Sequence, residues 1–538
     1  MLTTSNPPDN SSNIDVLIVG AGFGGLYALH KMRECGFTAR VLEAGDDVGG
    51  TWYWNRYPGC RCDVESIHYS YQFDEDLQQE WVWSERYATQ PELLSYIQHV
   101  ADRFDLRKDI TFNTRVTAAT WQEDKACWQV ETESGETVRA KYCIMATGPL
   151  SVPNMPDFPG LDSFTGDTYH TGLWPHEGVD FTGKRVAIIG TGSSAIQSIP
   201  LIAEQADQLT VFQRTANYAV PAANRPMNPG ELEAVKAEYA ELRTRGKNFP
   251  TAIPVTPSGP SALAVSDEER ERVFEEWWQD KGLMFQAAFA DLLFVDEAND
   301  AVSDFVRGKI RSIVEDSSVA EILVPKNPFG CKRMCVDTDY YKTFNRDNVS
   351  LVNVKDTPID RIVPGGVLVG GTTYEADAVI FATGYDAMTG ALSKMHICGR
   401  DGLVLTDKWH EGPSSFLGLT VHGFPNMFTI NGPGSPSALV NMVTGCEHHV
   451  EWIADCLTHL RDTGSAAIEA EKPAEEAWVE HSREVGNASL RSACDSWYLG
   501  ANIPGKPRVF MPYLGGFPAY AEKCDSVAKD GYSGFAIT

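Results

Sequence analysis

The 538-residue chain has no Cys-x-x-Cys pair, no excess of basic charge and no apolar run long enough to span a bilayer. Its twelve cysteines are scattered. The closest are Cys60-x-Cys62 and Cys331-x-x-x-Cys335, neither a zinc nor a dithiol spacing, so buried or half-buried free thiols are expected. Acidic residues outnumber basic ones, 73 to 45, and the net charge of -28 argues against a nucleic-acid surface or an anionic membrane as partner. The opening MLTTSNPPDNSSN has neither a basic n-region nor an apolar h-region, which reads as a soluble cytoplasmic protein. No solenoid repeat, low-complexity tract or obligate protein partner is evident.

What is present is an ordinary globular balance, 43% hydrophobic and 22% charged, in a chain long enough for more than one domain. The β-branched run IDVLIVG (14–20) is followed by AGFGGLYALHKMRECG, whose apolar residues recur at helical spacing until Gly36. ARVLEAG (39–45) then supplies a second strand that ends near the acid Glu43. The same order of strand, tight turn and helix returns in KRVAIIGTGSSAIQSIPLIAEQA (184–206), with LTVFQRT (209–215) as its next strand. From about Pro221 to Val324 strand signals fade into helical spacing, with a capping box at Ser266-Asp-Glu-Glu269. Strands resume at VSLVNV (349–354), GGVLVGG (365–371) and ADAVIFATGY (376–385), which we expect to complete the second unit.

The expected fold class is therefore α/β, with two Rossmann-like dinucleotide-binding domains and an inserted helical subdomain. The expected boundaries are 1–148 and 385–538 for the first domain, and 149–221 and 333–384 for the second. Residues 149–183 read as a linker and 222–332 as the insertion.

In the first fingerprint, Gly20 permits the turn, Gly22 admits the backbone to a pyrophosphate and Gly25 lets helix pack on strand. Glu43 lies where a ribose diol would be accepted, as FAD requires. The second fingerprint, Gly190-Thr-Gly192-Ser-Ser-Ala195, is followed by Gln213-Arg214-Thr215 in place of an acid. Arg214 suits a 2′-phosphate, which favours NADPH over NADH; a solvated arginine at a strand end is the plainer reading. One FAD and one NADP(H) make a flavin-dependent oxidoreductase. Ile144–Gly148 and Ile380–Tyr385 look like the segments that return the chain to each cofactor, although alone they would pass as ordinary turns. With no dithiol after the first fingerprint, reduced flavin is expected to react with O2, as in a monooxygenase.

Phe164-x-Gly166-x-x-x-His170-x-x-x-Trp174-Pro175, immediately before the second fingerprint, resembles the signature of the type I Baeyer–Villiger monooxygenases. Gly50-x-Trp52-x4-Tyr57-Pro58-Gly59-x3-Asp63 and the pair Lys332-Arg333 resemble two further family patterns, and the likeness runs through SWYLGANIPGKPRVFMPYLGGFPAY near the C-terminus. The resemblance implies insertion of oxygen beside a ketone carbonyl, through a flavin C4a-peroxide and a tetrahedral adduct, to give an ester or lactone. It assigns catalysis to Arg333, held by Asp63; an exposed basic pair and a turn residue are the plainer readings of these positions.

By the same resemblance, FAD would be held by Thr51, Trp52, Tyr53, Trp54, Asp63, Val64, Tyr69 and Met442, although some of these aromatics could equally be core. NADP would meet Arg61, Cys62, Asp63, the run Gly190, Thr191, Gly192, Ser193, Ser194, Ala195, Ile196 and Gln197, and then Arg214, Thr215, Lys332, Arg333 and Trp497. Pro436, Ser437, Ala438 and Leu439 would line the substrate pocket, resembling the phenylacetone-oxidising branch. Phe164, Gly166, His170 and Trp174 would form a linker in which His170 acts as a hinge and not as a catalyst. No metal site is expected: the neighbours His448 and His449 point about 100° apart on a helix and lack further ligands. N- or S-oxygenation is the alternative activity, and a catalytically idle flavin-binding protein the alternative of another class.

Overall fold

A computed structural model describes residues 13–538; most of the opening segment, on which the absence of a leader was read, lies outside the described residues. The first of two main sheets starts from Asn13–Val19, with Ala39–Leu42 and Thr137–Met145 parallel on either side. Ile110–Thr111 extends one edge. On the other side, Val116–Gln122, Cys127–Thr132 and Thr137–Met145 run as an antiparallel meander. Two strands arrive from far along the chain: His396–Cys398 pairs with Val116–Gln122, and Met427–Thr429 pairs with Thr137–Met145. The 22-residue helix Met442–Thr463 packs on Phe23–Glu34, so the last third of the chain buries its apolar face against the first sheet and its helix.

The second sheet is wholly parallel, in the order Val349–Asn353, Gln208–Gln213, Arg185–Ile189, Ala378–Phe381, Asp167–His170. Its central strands are apolar on both faces, as a parallel sheet covered on both sides requires. Gly366–Val369 forms, with Ile359–Val363 and Thr372–Glu375, an antiparallel meander that packs against this sheet. One expectation is corrected here. Asp167–His170 is not a free linker but the edge strand, placing His170 opposite Phe381.

Helices Pro229–Ala237, Tyr239–Gly246, Asp267–Asp280, Asp296–Ile313 and Ser317–Leu323 make up the inserted region. Ser266 caps the third of them by accepting the Glu269 amide at 3.3 Å. Ala219–Pro221 pairs with Cys335–Asp337 across the base of the insertion, which brings Lys332 and Arg333 back beside the second fingerprint. Cys331 and Cys494 are joined in a disulfide, with Cα atoms 6.0 Å apart, against the expectation of free thiols throughout. They lie 163 residues apart in sequence, and only the fold makes them neighbours. Among the described residues, no helix is long and apolar enough to cross a membrane.

Candidate active site between two nucleotide folds

Both fingerprints are shaped by the segments that return to them. Gly20 (φ 103°) and Gly190 (φ 116°) hold backbone conformations that side chains rarely adopt. A Cβ would lie 2.7 Å from the Ala146 carbonyl oxygen at Gly20 and 2.4 Å from that of Ala382 at Gly190. The two Ala-Thr-Gly segments are thus the surfaces against which each turn closes. A Cβ on Gly25 would fall 1.8 Å from the Gly20 oxygen, which fixes the helix against the strand. Beside Gly192, by contrast, a Cβ would meet nothing within 4 Å, leaving open space at a helix N-terminus where a pyrophosphate could approach.

Glu43 is buried, and burial pushes its pKa up against the pull of two backbone amides that it accepts, Ala21 and Gly45, both at 2.7 Å. Each carboxylate oxygen keeps a lone pair for a ribose hydroxyl. Gly22 meets the next loop closely, since its Cβ would lie 3.3 Å from Gly50 Cα. That loop carries Thr51 exposed and Trp52 buried, with Tyr69 edge-on to both Trp52 and Phe23. Tyr53 is occupied within the loop itself, where it donates to Asp46 at 2.7 Å, lies beneath Gly45 and stacks edge-on with Trp54.

On the other fold, Thr191 donates to the Thr215 carbonyl at 3.1 Å and Ser194 meets Thr171 at 3.1 Å. Ser193 lies 3.2 Å from the Cys335 sulfur, while Ala195 and Ile196 are core. Arg214 is exposed, and its charge helps to depress the Lys332 pKa, although burial is the larger cause; Lys355 adds to the same effect. Among the described residues, none of these three cations has a carboxylate within salt-bridge distance, so a phosphate would meet positive charge not already neutralised. Lys355, just past the strand Val349–Asn353, had escaped the sequence reading; only the three-dimensional neighbourhood singles it out.

Arg333 is where the two folds meet. Its Nε and Nη2 donate to the two Asp63 carboxylate oxygens at 2.9 and 3.0 Å, a bidentate pair spanning 270 residues. Nη1 donates to the Ala438 carbonyl at 2.7 Å. Burial opposes the charge, but Asp63 more than offsets it, and the Arg333 pKa lies above its ordinary range. Ala438 adopts φ 64°, which turns its carbonyl toward the guanidinium, and its amide donates to the Met442 sulfur at 3.1 Å. A cavity opens here, lined by Val64, Arg333, Ala438 and Leu439 together with Arg491, Tyr498, Gln286 and Met284.

Pro436 and Ser437 are buried beside the Ala438 turn, and it is Ala438 and Leu439 that reach the cavity wall. Arg61 uses its guanidinium on Glu85 at 3.0 Å, while Cys62 is buried. Trp497 is half-buried beside Tyr498, ring centroids 4.2 Å apart. The sequence reading missed Gln286, Met284, Arg491 and Tyr498. These residues lie on the insertion and the C-terminal segment, and no motif spacing links them.

His170 is 3% exposed and its Nδ1 accepts the Gly172 amide at 2.9 Å. Its Nε2 meets the Thr383 hydroxyl at 3.2 Å, and burial pushes its pKa down to about 4. A Cβ at Gly166 would lie 2.2 Å from the Asp377 oxygen, so glycine is what lets this edge strand close on its neighbour. Trp174 packs on Tyr169 and Phe181, and Phe164 borders the core under the meander. The histidine motif therefore builds the edge of the second sheet. His449 is likewise structural: its Nδ1 accepts the Asn431 amide and its Nε2 meets the Tyr520 hydroxyl.

A family model described as pyridine nucleotide-disulphide oxidoreductase matches residues 17–248. A "Baeyer-Villiger monooxygenase" of Pseudooceanicola batsensis is 44% identical over 537 residues, 99% of this chain and 98% of that one. A solved structure described as oxidized steroid monooxygenase bound to NADP is 52% identical, with a TM-score of 0.94 over 98% of this chain and 99% of the other. One described as OTEMO in complex with FAD and NADP is 40% identical, with a TM-score of 0.95 over 98% of this chain and 100% of the other.

Proposed function

We propose, for a chain that belongs to the Baeyer–Villiger monooxygenases, a division of labour among the residues gathered where the two nucleotide folds meet. The protein is an FAD- and NADPH-dependent oxidoreductase that uses O2 to insert one oxygen atom beside the carbonyl of a small-molecule ketone, giving an ester or lactone. Residues up to 148 and from 385 hold FAD, and those of 149–221 and 333–384 hold NADPH. The glycine turns at Gly20 and Gly190, the Glu43 carboxylate and the unneutralised cations Arg214, Lys332 and Lys355 fit these two groups.

Bound FAD supplies the two-electron and oxygen chemistry; the chain supplies charge, position and shelter. Arg333 has five N–H donors and commits three of them, two to Asp63 and one to Ala438; the remaining two face the cavity wall, where Tyr498 also bonds the guanidinium. Guanidinium stays charged throughout the working pH range, so it stabilises negative charge developing on the substrate carbonyl oxygen without exchanging a proton. Asp63 fixes the plane of that guanidinium. Apolar Val64, Met284 and Leu439 keep the cavity poor in water. His170, neutral and bonded within its own sheet, is a positioning residue for the Ala382-Thr383-Gly384 turn.

The observation that carries this reading is the bidentate Asp63–Arg333 pair at the cavity. Its test is ketone-dependent NADPH consumption by the purified holoenzyme, with the ester or lactone identified by mass. Oxygenation of an amine or sulfide, with no product from any ketone, would overturn it.

A further inference from the structure

Two guanidinium groups, not one, border the cavity, and only one of them has a carboxylate. Arg333 is neutralised by Asp63. Arg491, on the short turn Leu490–Ser492, is 7% exposed and has only neutral partners: Nη1 donates to the Gly330 carbonyl at 3.2 Å and Nη2 to the Gln286 side-chain oxygen at 2.7 Å. Its guanidinium carbon lies 6.0 Å from the Tyr498 ring centroid. Among the described residues, no carboxylate lies within salt-bridge distance of Arg491. Burial, together with the Arg333 charge, pushes its pKa below the ordinary arginine range. The guanidinium remains charged nonetheless, because arginine does not lose its proton in proteins.

A buried cation with no counter-ion costs free energy, and hydrogen bonds to a carbonyl and an amide recover only part of it. An anion entering the cavity would recover the rest. The phosphates of NADPH have their own candidate sites elsewhere, the 2′-phosphate at Arg214, Lys332 and Lys355 and the pyrophosphate beside Gly192. Most of the remaining wall is apolar, Val64, Leu283, Met284 and Leu439 among it, with Thr251 and Asn441 as its polar members, and suits a hydrocarbon frame. The geometry points to Arg491 as a specificity-determining residue that selects ketones carrying a carboxylate, received between Arg491, Gln286 and Tyr498 while Arg333 serves the ketone oxygen. This deepens the oxygen-insertion reading and rests on it.

The test uses holoenzyme and the matched pair 4-oxocyclohexane-1-carboxylate and 4-methylcyclohexanone. The wild type prefers the keto acid in kcat/KM, and in Arg491→Gln the ratio of acid to neutral ketone falls about 100-fold, mostly through KM. Arg491→Lys retains part of the preference. Equal preference in wild type and Arg491→Gln overturns the proposal, as does a variant whose loss lies in the KM for NADPH instead. A second measurement needs no variant and no oxygen insertion: cyclohexanecarboxylate perturbs the visible spectrum of the bound flavin saturably, at least about 10-fold more tightly than cyclohexanecarboxamide. Equal binding of the two overturns the proposal even if Arg491→Gln does not fold. Absence of lactone from both ketones, with carboxylate binding intact, would count against oxygen insertion and leave the anion site standing.

Discussion

Arg333 shows what a residue-level reading can and cannot reach. The resemblance of the Lys332-Arg333 pair to a family pattern named it and its partner, but residue types alone would pass as an exposed basic pair; Asp63 lies 270 residues earlier, and the contact exists only because two folds converge. Removing one partner of such a pair leaves the other charge short of its hydrogen bonds. Asp63→Asn keeps the shape but not the charge. It should lower ester formation by about 10-fold or more and cost about 1–3 kcal/mol of stability, read by urea unfolding. Arg333→Ala should still allow reduction of bound FAD by NADPH in the stopped-flow yet form no ester, and a normal ester yield would remove its assigned role.

At the second fingerprint, Arg214→Ala should raise the KM for NADPH about 10-fold or more, with little change for NADH, and Lys355→Ala should act in the same direction. Equal effects on both coenzymes would dismiss the 2′-phosphate argument.

His170 supports a prediction about pH. Its folded pKa of about 4 lies below the unfolded value near 6.5, so the unfolded chain binds the extra proton and stability rises with pH between these values. The contribution is fully present above about 6.5 and is lost progressively as pH falls toward 4, with a limit on the order of 3 kcal/mol. A His170→Gln variant should therefore show a shallower fall of unfolding free energy from pH 6.5 to pH 4 than the wild type. Parallel curves would place the destabilising proton elsewhere, for example on buried His448, which burial also depresses to about 4.

At the scale of elements, legibility followed periodicity. The strands at Asn13–Val19 and Arg185–Ile189 and the helices after them were readable because apolar runs, glycine turns and helical spacing coincide there. The run 365–371 was legible as a strand, but β-branched alternation says that a strand exists, not which sheet it joins, and so the meander Ile359–Glu375 could not be foreseen. The motif around His170 was identified by its residue types, but its strand was not: loop-like residues such as Gly166 and Thr168 conceal an edge strand whose partner lies about 210 residues later. The cavity was half legible, since the Ala438-Leu439 turn could be named while the wall from Gln286, Arg491 and Tyr498 could not.

The cysteines fall at the same scale. Spacing rules test near neighbours, and the Cys331–Cys494 bridge closes a loop of 163 residues between the end of the insertion and the turn that carries Arg491. Thiol titration in denaturant should give ten reactive groups before reduction and twelve after it, corresponding to the ten free cysteines and the bridged pair. Twelve from the start would restore the free-thiol expectation.

At the scale of the whole molecule, function depends on how the two nucleotide folds touch, because NADPH bound on one must reach FAD bound on the other. Besides Arg333, the folds touch at Gln197, in the helix of the second fingerprint. It accepts from the Tyr57 hydroxyl at 2.8 Å and donates to the Arg61 carbonyl at 3.1 Å, so the loop that carries Asp63 is fastened to the NADP side. Gly59, in the same loop, makes this approach possible: a Cβ there would lie 2.3 Å from the Gln197 carbonyl oxygen, backbone against backbone.

Gly59→Ala should therefore push the folds apart. A control is needed, because Gly59 has φ 77° and alanine in that region costs about 1 kcal/mol whatever surrounds it. Gly183, φ 73°, would bring its Cβ against nothing within 4 Å and so isolates the backbone cost. Gly183→Ala should lose a similar amount of stability while flavin reduction by NADPH keeps its rate. Gly59→Ala should slow that reduction by about 10-fold or more, because small misplacements of bound reactants carry penalties of this order. The comparison is made by stopped-flow at saturating NADPH, with thermal midpoints measured alongside. If the two variants slow reduction equally, the Gly59–Gln197 contact does not set the approach of the cofactors, and the coupling of the two folds rests on other contacts, the bonds of Arg333 to Asp63 and Ala438 first among them.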